Sequence, residues 1–96
     1  MHKHQHLLIS IGKLIKNTRS ATMDQQELGQ RVGVGRNTIS SMENGKSVSA
    51  ESLFLVLEHL DLIDDIQEVI DQQLSNTTIK LSRKSRKSIS ELDNDF

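Results

Sequence analysis

Two glycines one residue apart, Gly33 and Gly35, separate two short runs of helix-forming residues, and this spacing restricts the chain more than any other feature. Closely spaced glycines serve two different ends. A phosphate-cradling loop needs G-x-G-x-x-G after a strand, opening the helix of a βαβ unit. In "RVGVGRNTIS", residues 31–40, Thr38 occupies the third glycine position, the preceding segment has helical periodicity, and no Walker lysine follows. The alternative is a tight turn between two helices that cross steeply. Gly33 then supplies the positive φ that ends one helix, Val34 drops into the core, and Gly35 caps the next helix. The context selects the turn.

Helical periodicity extends well beyond this turn. Leu7, Leu8, Ile11, Leu14, Ile15 and Thr18 recur at i, i+3, i+4 and i+7, the pattern of an amphipathic first helix. Asp24 is an N-cap with Glu27 three residues on, a capping-box spacing, and it opens a second helix with Leu28 and Val32 inward. A third helix runs from Arg36 to about Asn44, with Ile39 and Met42 apolar, and "NG" at 44–45 stops it. Ser49 caps a fourth, with Leu53, Val56, Leu57 and Leu60 inward, and Ile63, Ile66, Val69, Ile70 and Leu74 mark a fifth. There is no proline, no strand-like alternation and no repeat. The expected fold is all-α: five compact helices over residues 7–74, a disordered terminus at 1–6 and a flexible charged tail at 75–96. Within that tail "TIKL" has the look of a short extended element.

Composition bounds the function. Ninety-six residues suit one small domain and a tail. A domain of that size buries only about two thirds of its unfolded surface, so dimerisation would help it. Without cysteine there is no disulfide, no thiolate nucleophile and no cysteine-ligated zinc. The longest apolar run, "LFLVL" at 53–57, is far short of the ~20 residues of a membrane span, and no secretory signal is evident. A cytoplasmic protein is expected. No Ser/His/Asp triad or paired carboxylates stand out, so neither an enzyme nor a cofactor is expected. His2, His4 and His6 alternate near the start, more simply a solvated terminus than a metal site.

The net charge of −1 conceals segregation. Residues 1–50 carry seven Lys/Arg against three Asp/Glu, residues 51–78 seven acids and no base, residues 79–90 five bases and no acid, and the last six residues three acids. Surfaces with different partners would produce this pattern, as would ordinary solvated helix faces.

Two short helices joined by a tight turn are the layout of a helix-turn-helix, whose second helix presents its N-terminal residues to the DNA major groove. "DQQELGQRVGVGRNTISSMENG", residues 24–45, resembles the core of the Cro/cI-type (XRE) family of such proteins. Gln25, Leu28, Val32, Gly33, Val34, Thr38, Ile39, Ser40, Glu43, Asn44 and Gly45 match the family pattern. "IGKLIKNTR" is similar to its first helix and "AESLFLVLEHLDL" to its fourth, so the resemblance covers residues 11–62. Departures are Asp24 for Thr, Gly29 for Ala and Gly35 for Ser, and the turn between Arg19 and Gln25 is one residue shorter than usual.

The resemblance implies a lambda-repressor-like domain and assigns roles. Arg36, Asn37, Ser40 and Ser41 would face base edges; Arg suits guanine O6/N7 and Asn suits adenine N6/N7. Gln25, Thr38, Asn44 and Lys46 would contact phosphates. Arg19 and Glu43 would form a structural ion pair. Phe54, Leu55, Ile63, Ile66, Val69 and Ile70 are candidates for a dimer or partner surface, the alternative being closure of the monomer core. The implied partners are double-stranded DNA carrying a palindromic operator and a second copy of the chain. Size and layout also resemble HipB-like antitoxins, which repress their own operon and bind a co-encoded kinase-like (HipA-like) toxin. A protein-binding antitoxin, with "KLSRKSRKS" engaging the partner, and a stand-alone phage-type repressor are the alternatives.

Overall fold

The computed structural model describes residues 2–84, and those residues form five α-helices and no strand. They are α1 Lys3–Ser20, α2 Gln25–Val32, α3 Arg36–Glu43, α4 Ala50–His59 and α5 Ile63–Lys84. The chain divides into two units, one reaching to Ile63 and one starting at Asp64.

Local chemistry sets the boundaries within the first unit. Asp24 Oδ1 accepts the Glu27 amide at 2.8 Å, and Ser49 Oγ accepts the Ser52 amide at 3.1 Å. Both are side-chain N-caps, each of the kind worth about 1 kcal/mol. The reciprocal half of the expected capping box is absent, because Glu27 turns instead to Arg31 at 2.8 Å, one helical turn on. Three helices end in the same way. The sixth residue's amide reaches back to the first one's carbonyl: Val34 to Gly29 at 2.9 Å, Lys46 to Ser41 at 2.9 Å and Leu62 to Leu57 at 2.8 Å. Each such ending needs one left-handed residue. Gly33 (φ 73°) and Gly45 (φ 75°) supply two, and Asp61 (φ 60°) the third.

The core is small. Ile15, Leu28, Ile39, Met42, Val56 and Leu57 are buried, at about 1.5–3 kcal/mol each. α1 and α2 both pack on α3, and α2 also meets α4. α3 is therefore clamped along its inner face. Val32, Val34, Leu53 and Leu60 lie half-buried at the margin of this core.

The first helix departs from expectation. Leu7 and Leu14, read as inward, are 59% and 47% exposed, and the buried line is Gly12, Ile15 and Arg19. A helix with one principal neighbour covers only a narrow stripe, and the apolar pattern of α1 is wider than that stripe. Both chain ends also differ. Residues 3–6 are helical, started by a Gln5 side chain that accepts the His2 amide at 3.3 Å. At the other end α5 continues past the composition change at Ser75 to Lys84, so "TIKL" is helix and not an extended element. Thr77 and Thr78 return their hydroxyls to the carbonyls of Gln73 (2.8 Å) and Leu74 (3.0 Å), so these polar residues are satisfied inside the helix. Most of the expected tail, residues 85–96, lies outside the described residues.

A buried ion pair joins the last turn of α1 to the last residue of α3. Arg19 Nε and Nη2 bond the two carboxylate oxygens of Glu43, the second at 3.1 Å, and Nη1 donates to the Met23 carbonyl at 2.8 Å. Gln25 Nε2 also donates to Glu43 Oε1, at 3.0 Å. α1, the turn before α2, α2 itself and α3 thus share one polar knot. Its hydrogen bond to Glu43, more than any other cause, holds the Arg19 guanidinium above its usual pKa; burial opposes this, while the charges of Glu43 and Asp24 add to it. A cation with a raised folded-state pKa stabilises the fold fully below its unfolded value. That contribution disappears only as pH climbs through the raised value, so the arginine side of the pair is constant over physiological pH.

Candidate nucleic-acid interface

The outer face of α3 is formed by the residues that its packing leaves free. Ile39, Met42 and Glu43 point into the domain. Positions 36, 37, 40 and 41 fall on the opposite side of a 3.6-residue period. Arg36 and Asn37 are exposed in the first turn, and Ser40 and Ser41 are half-buried one turn later. Gly35 opens the helix with extended backbone (φ −64°, ψ 148°) and no side-chain cap. The two long polar side chains therefore project from an uncluttered helix start, which suits bidentate contact with base edges.

Two concave surfaces flank this face. On one side Arg36 borders a notch with Arg19, Asp24, Gln25 and Gln26, at the start of α2. On the other, Asn37, Thr38 and Ser41 face Ser47, Ser49 and Ser52, at the start of α4. Each notch holds a helix N-terminus, where free amides and the helix dipole favour an anion. Gln25 uses one amide hydrogen on Glu43, and its second remains for an outside acceptor. Thr38 is half-buried, and Asn44 and Lys46 are exposed beyond the end of α3.

Arg36 is thus brought beside Gln25, and Asn37 and Ser41 beside Thr38, whereas Arg19 and Glu43 lie inside the domain. Gln26, Ser47 and Ser52 line the same surface and were not singled out from the sequence, and Ser49 was read there only as a helix cap. The only sequence signals for them were a second glutamine at a helix start and the hydroxyl run "KSVSAES". Of the residues proposed for a dimer surface, Phe54 and Leu55 are exposed and share a shallow groove with Glu51, Glu58 and half-buried Ile63. On α5, Ile66 is half-buried while Val69 and Ile70 are exposed. Among the described residues no cluster of metal-ligating side chains forms, and no helix is long and apolar enough to cross a membrane.

Comparison with known proteins agrees with this geometry. The helix-turn-helix family model matches residues 11–64, from the middle of α1 to the first residues of α5. Neither the curated proteins nor the solved structures gave a match. A domain of this family suggests a DNA-binding transcriptional regulator. With more than half of its length matched, the chain belongs to the XRE-type helix-turn-helix family.

Proposed function

We propose that the protein is a homodimeric repressor that binds a palindromic operator through α3. The observation that carries this reading is the exposed pair Arg36–Asn37 at the start of a helix clamped on its inner face by α1 and α2. Arg36 and Asn37 read bases, with Ser40 and Ser41 following one turn later. Gln25, Thr38, Asn44 and Lys46 hold phosphates and set the register. One such domain reads half a site, so two copies engage half-sites one helical turn of DNA apart, or a multiple of it. Bound there, the dimer denies the DNA to other proteins.

Selection of bound duplexes from a random pool should return a two-fold-symmetric sequence. On that sequence Arg36→Ala is expected to cost about 1–3 kcal/mol and to relax preference at one base of each half-site. Lys46→Ala should instead weaken binding evenly across sequences and lower the salt slope by about one. Unchanged base preference in the Arg36 variant would remove α3 from the reading role.

Asp24 gives a second test. Its carboxylate caps α2 from within the notch shared by Gln25 and Arg36, where a phosphate would sit. Asp24→Thr keeps a capping oxygen and removes a negative charge, so stability should hold within about 1 kcal/mol. Duplex binding should tighten several-fold at low salt, and the gain should fade as salt rises. Equal affinities at every salt concentration would mean that the start of α2 does not face the backbone.

The antitoxin reading rests on the charge pattern of the C-terminal segment, five bases in residues 79–90 followed by three acids. Removing residues 85–96 separates the two roles: operator binding persists, while a toxin-neutralising role would be lost.

A further inference from the structure

Asn44–Gly45, the pair that stops α3, is also chemically labile. The backbone nitrogen of the following residue can attack an asparagine side-chain amide, and glycine, with no Cβ, hinders that nitrogen least. The other asparagines, Asn17, Asn37, Asn76 and Asn94, precede threonine or aspartate, whose side chains shield it. Asn44 is exposed to water, two residues before exposed Lys46. The fold nevertheless keeps the reacting atoms apart. The Asn44 backbone (φ −91°, ψ 8°) turns the Gly45 nitrogen away from Asn44 Cγ, whereas ring closure needs both on one side of the Cα–C′ bond. The Gly45 amide donates to the Met42 carbonyl at 3.2 Å, and the Lys46 amide to the Ser41 carbonyl at 2.9 Å. The attacking nitrogen is thus committed within the left-handed ending of α3. The reaction waits for that turn to open, and helix ends are among the places where opening costs least.

From these observations we infer that Asn44 is a deamidation site gated by the last turn of α3, and that the modified chain loses its hold on DNA. The second half rests on the operator-binding reading, in which Asn44 and Lys46 contact phosphates. When the turn opens, the Gly45 nitrogen gives its proton to a solvent base and bonds to Asn44 Cγ. The Cγ–Nδ2 bond breaks, and the departing nitrogen takes up a proton and leaves as ammonia. The cyclic imide that remains is opened by water at either carbonyl. One opening leaves aspartate at position 44, and the other leaves isoaspartate, in which the main chain runs through the former side-chain carbon. In sum one water enters and one ammonia departs, with no change of oxidation state. Both products carry a carboxylate where a phosphate would sit, and like charges repel. Isoaspartate also lengthens the backbone by one carbon next to Glu43, the centre of the polar knot. Copies whose α3 end opens often are therefore retired from the DNA-binding pool.

The full chain, incubated in mildly alkaline buffer and followed by mass spectrometry, tests the chemistry. Peptide mapping should find the mass gain of an amide-to-acid change at Asn44 and not at the asparagines that precede threonine. The folded chain should react at least about tenfold more slowly than the same chain in urea, because only its open fraction reacts. Equal rates would show that the turn is no gate and overturn the inference, as would a folded chain that stays unmodified through weeks of incubation. The products, separated by ion exchange, should bind the duplex selected from the random pool several-fold more weakly than the fresh chain, with a deficit that shrinks as salt rises. Products that bind as tightly as the fresh chain would overturn it. Two variants isolate the charge: Asn44→Asp should bind more weakly than Asn44→Ala, which lacks the amide but adds no charge. Equal affinities would place position 44 away from the phosphates and overturn the loss of DNA binding. A fresh chain that selects no duplex overturns the operator reading instead, and the gated mass gain at Asn44 is read independently of it.

Discussion

Glu43→Ala is expected to destabilise the domain by about 3–5 kcal/mol, the loss seen when one partner of a buried ion pair is removed. A unit the size of residues 1–63 has roughly 3–9 kcal/mol to lose, so the variant should be largely unfolded or close to it. The cost goes beyond one missing contact. Glu43 accepts from Arg19 Nε, Arg19 Nη2 and Gln25 Nε2. Truncation strands the charge of Arg19, a residue that is 8% exposed and has only the Met23 carbonyl left to it. Urea denaturation followed by circular dichroism, with an osmolyte present if needed, measures the loss. The double variant Arg19→Met/Glu43→Leu should recover most of it, since apolar side chains of similar volume replace buried pairs at little cost. A Glu43→Ala variant within about 1 kcal/mol of the parent would show that packing alone orients α3.

Gly12→Val should cost roughly 3 kcal/mol, at the upper end for an overpacked site. A Cβ at position 12 would lie 2.5 Å from the Met42 carbonyl oxygen and 2.8 Å from that of Glu43. Both obstacles are backbone at the end of α3, so no side chain can swing aside. Relief requires α1 and α3 to separate, which would also stretch the Arg19–Glu43 pair two turns further along α1. The expected signature is a lower denaturation midpoint together with weaker DNA binding in molecules that remain folded. Stability within about 0.5 kcal/mol of the parent would mean that the contact yields easily.

The sequence carried much of this architecture because its strongest signals are local. Gly33 and Gly45 announce left-handed helix ends, and Asp24 and Ser49 announce starts, each within a few residues of the event. Asp61 performs the same task as the two glycines and went unread, since aspartate is a weak marker for that conformation. Leu7 and Leu14 misled for a different reason. An apolar stripe shows which side of a helix is able to be buried, while the number of neighbouring helices decides how much of it is. Ser75 misled because serine and threonine are poor helix formers on average, yet Thr77 and Thr78 satisfy themselves on the preceding turn. On the candidate surface, Arg36 and Asn37 are exposed in the first turn of α3, whose start the paired glycines marked in the sequence, while their base-reading role is what the family resemblance implies. Gln26, Ser47, Ser49 and Ser52 enter the surface only because α2 and α4 flank α3, which no local pattern encodes.

The short links between helices carry a consequence for speed. Between Ser20 and Gln25, Val32 and Arg36, and His59 and Ile63 the chain spends only a few residues, and the farthest side-chain hydrogen bond of the first unit, Arg19 to Glu43, spans 24 positions. Contacts so close in sequence place the domain among the fast folders, with times of microseconds to milliseconds. The absence of proline also removes the isomerisation that commonly delays part of a population by tens of seconds. After rapid dilution from denaturant the first unit should therefore return in a single exponential phase. A newly made copy would hold its folded helix-turn-helix almost as soon as it leaves the ribosome.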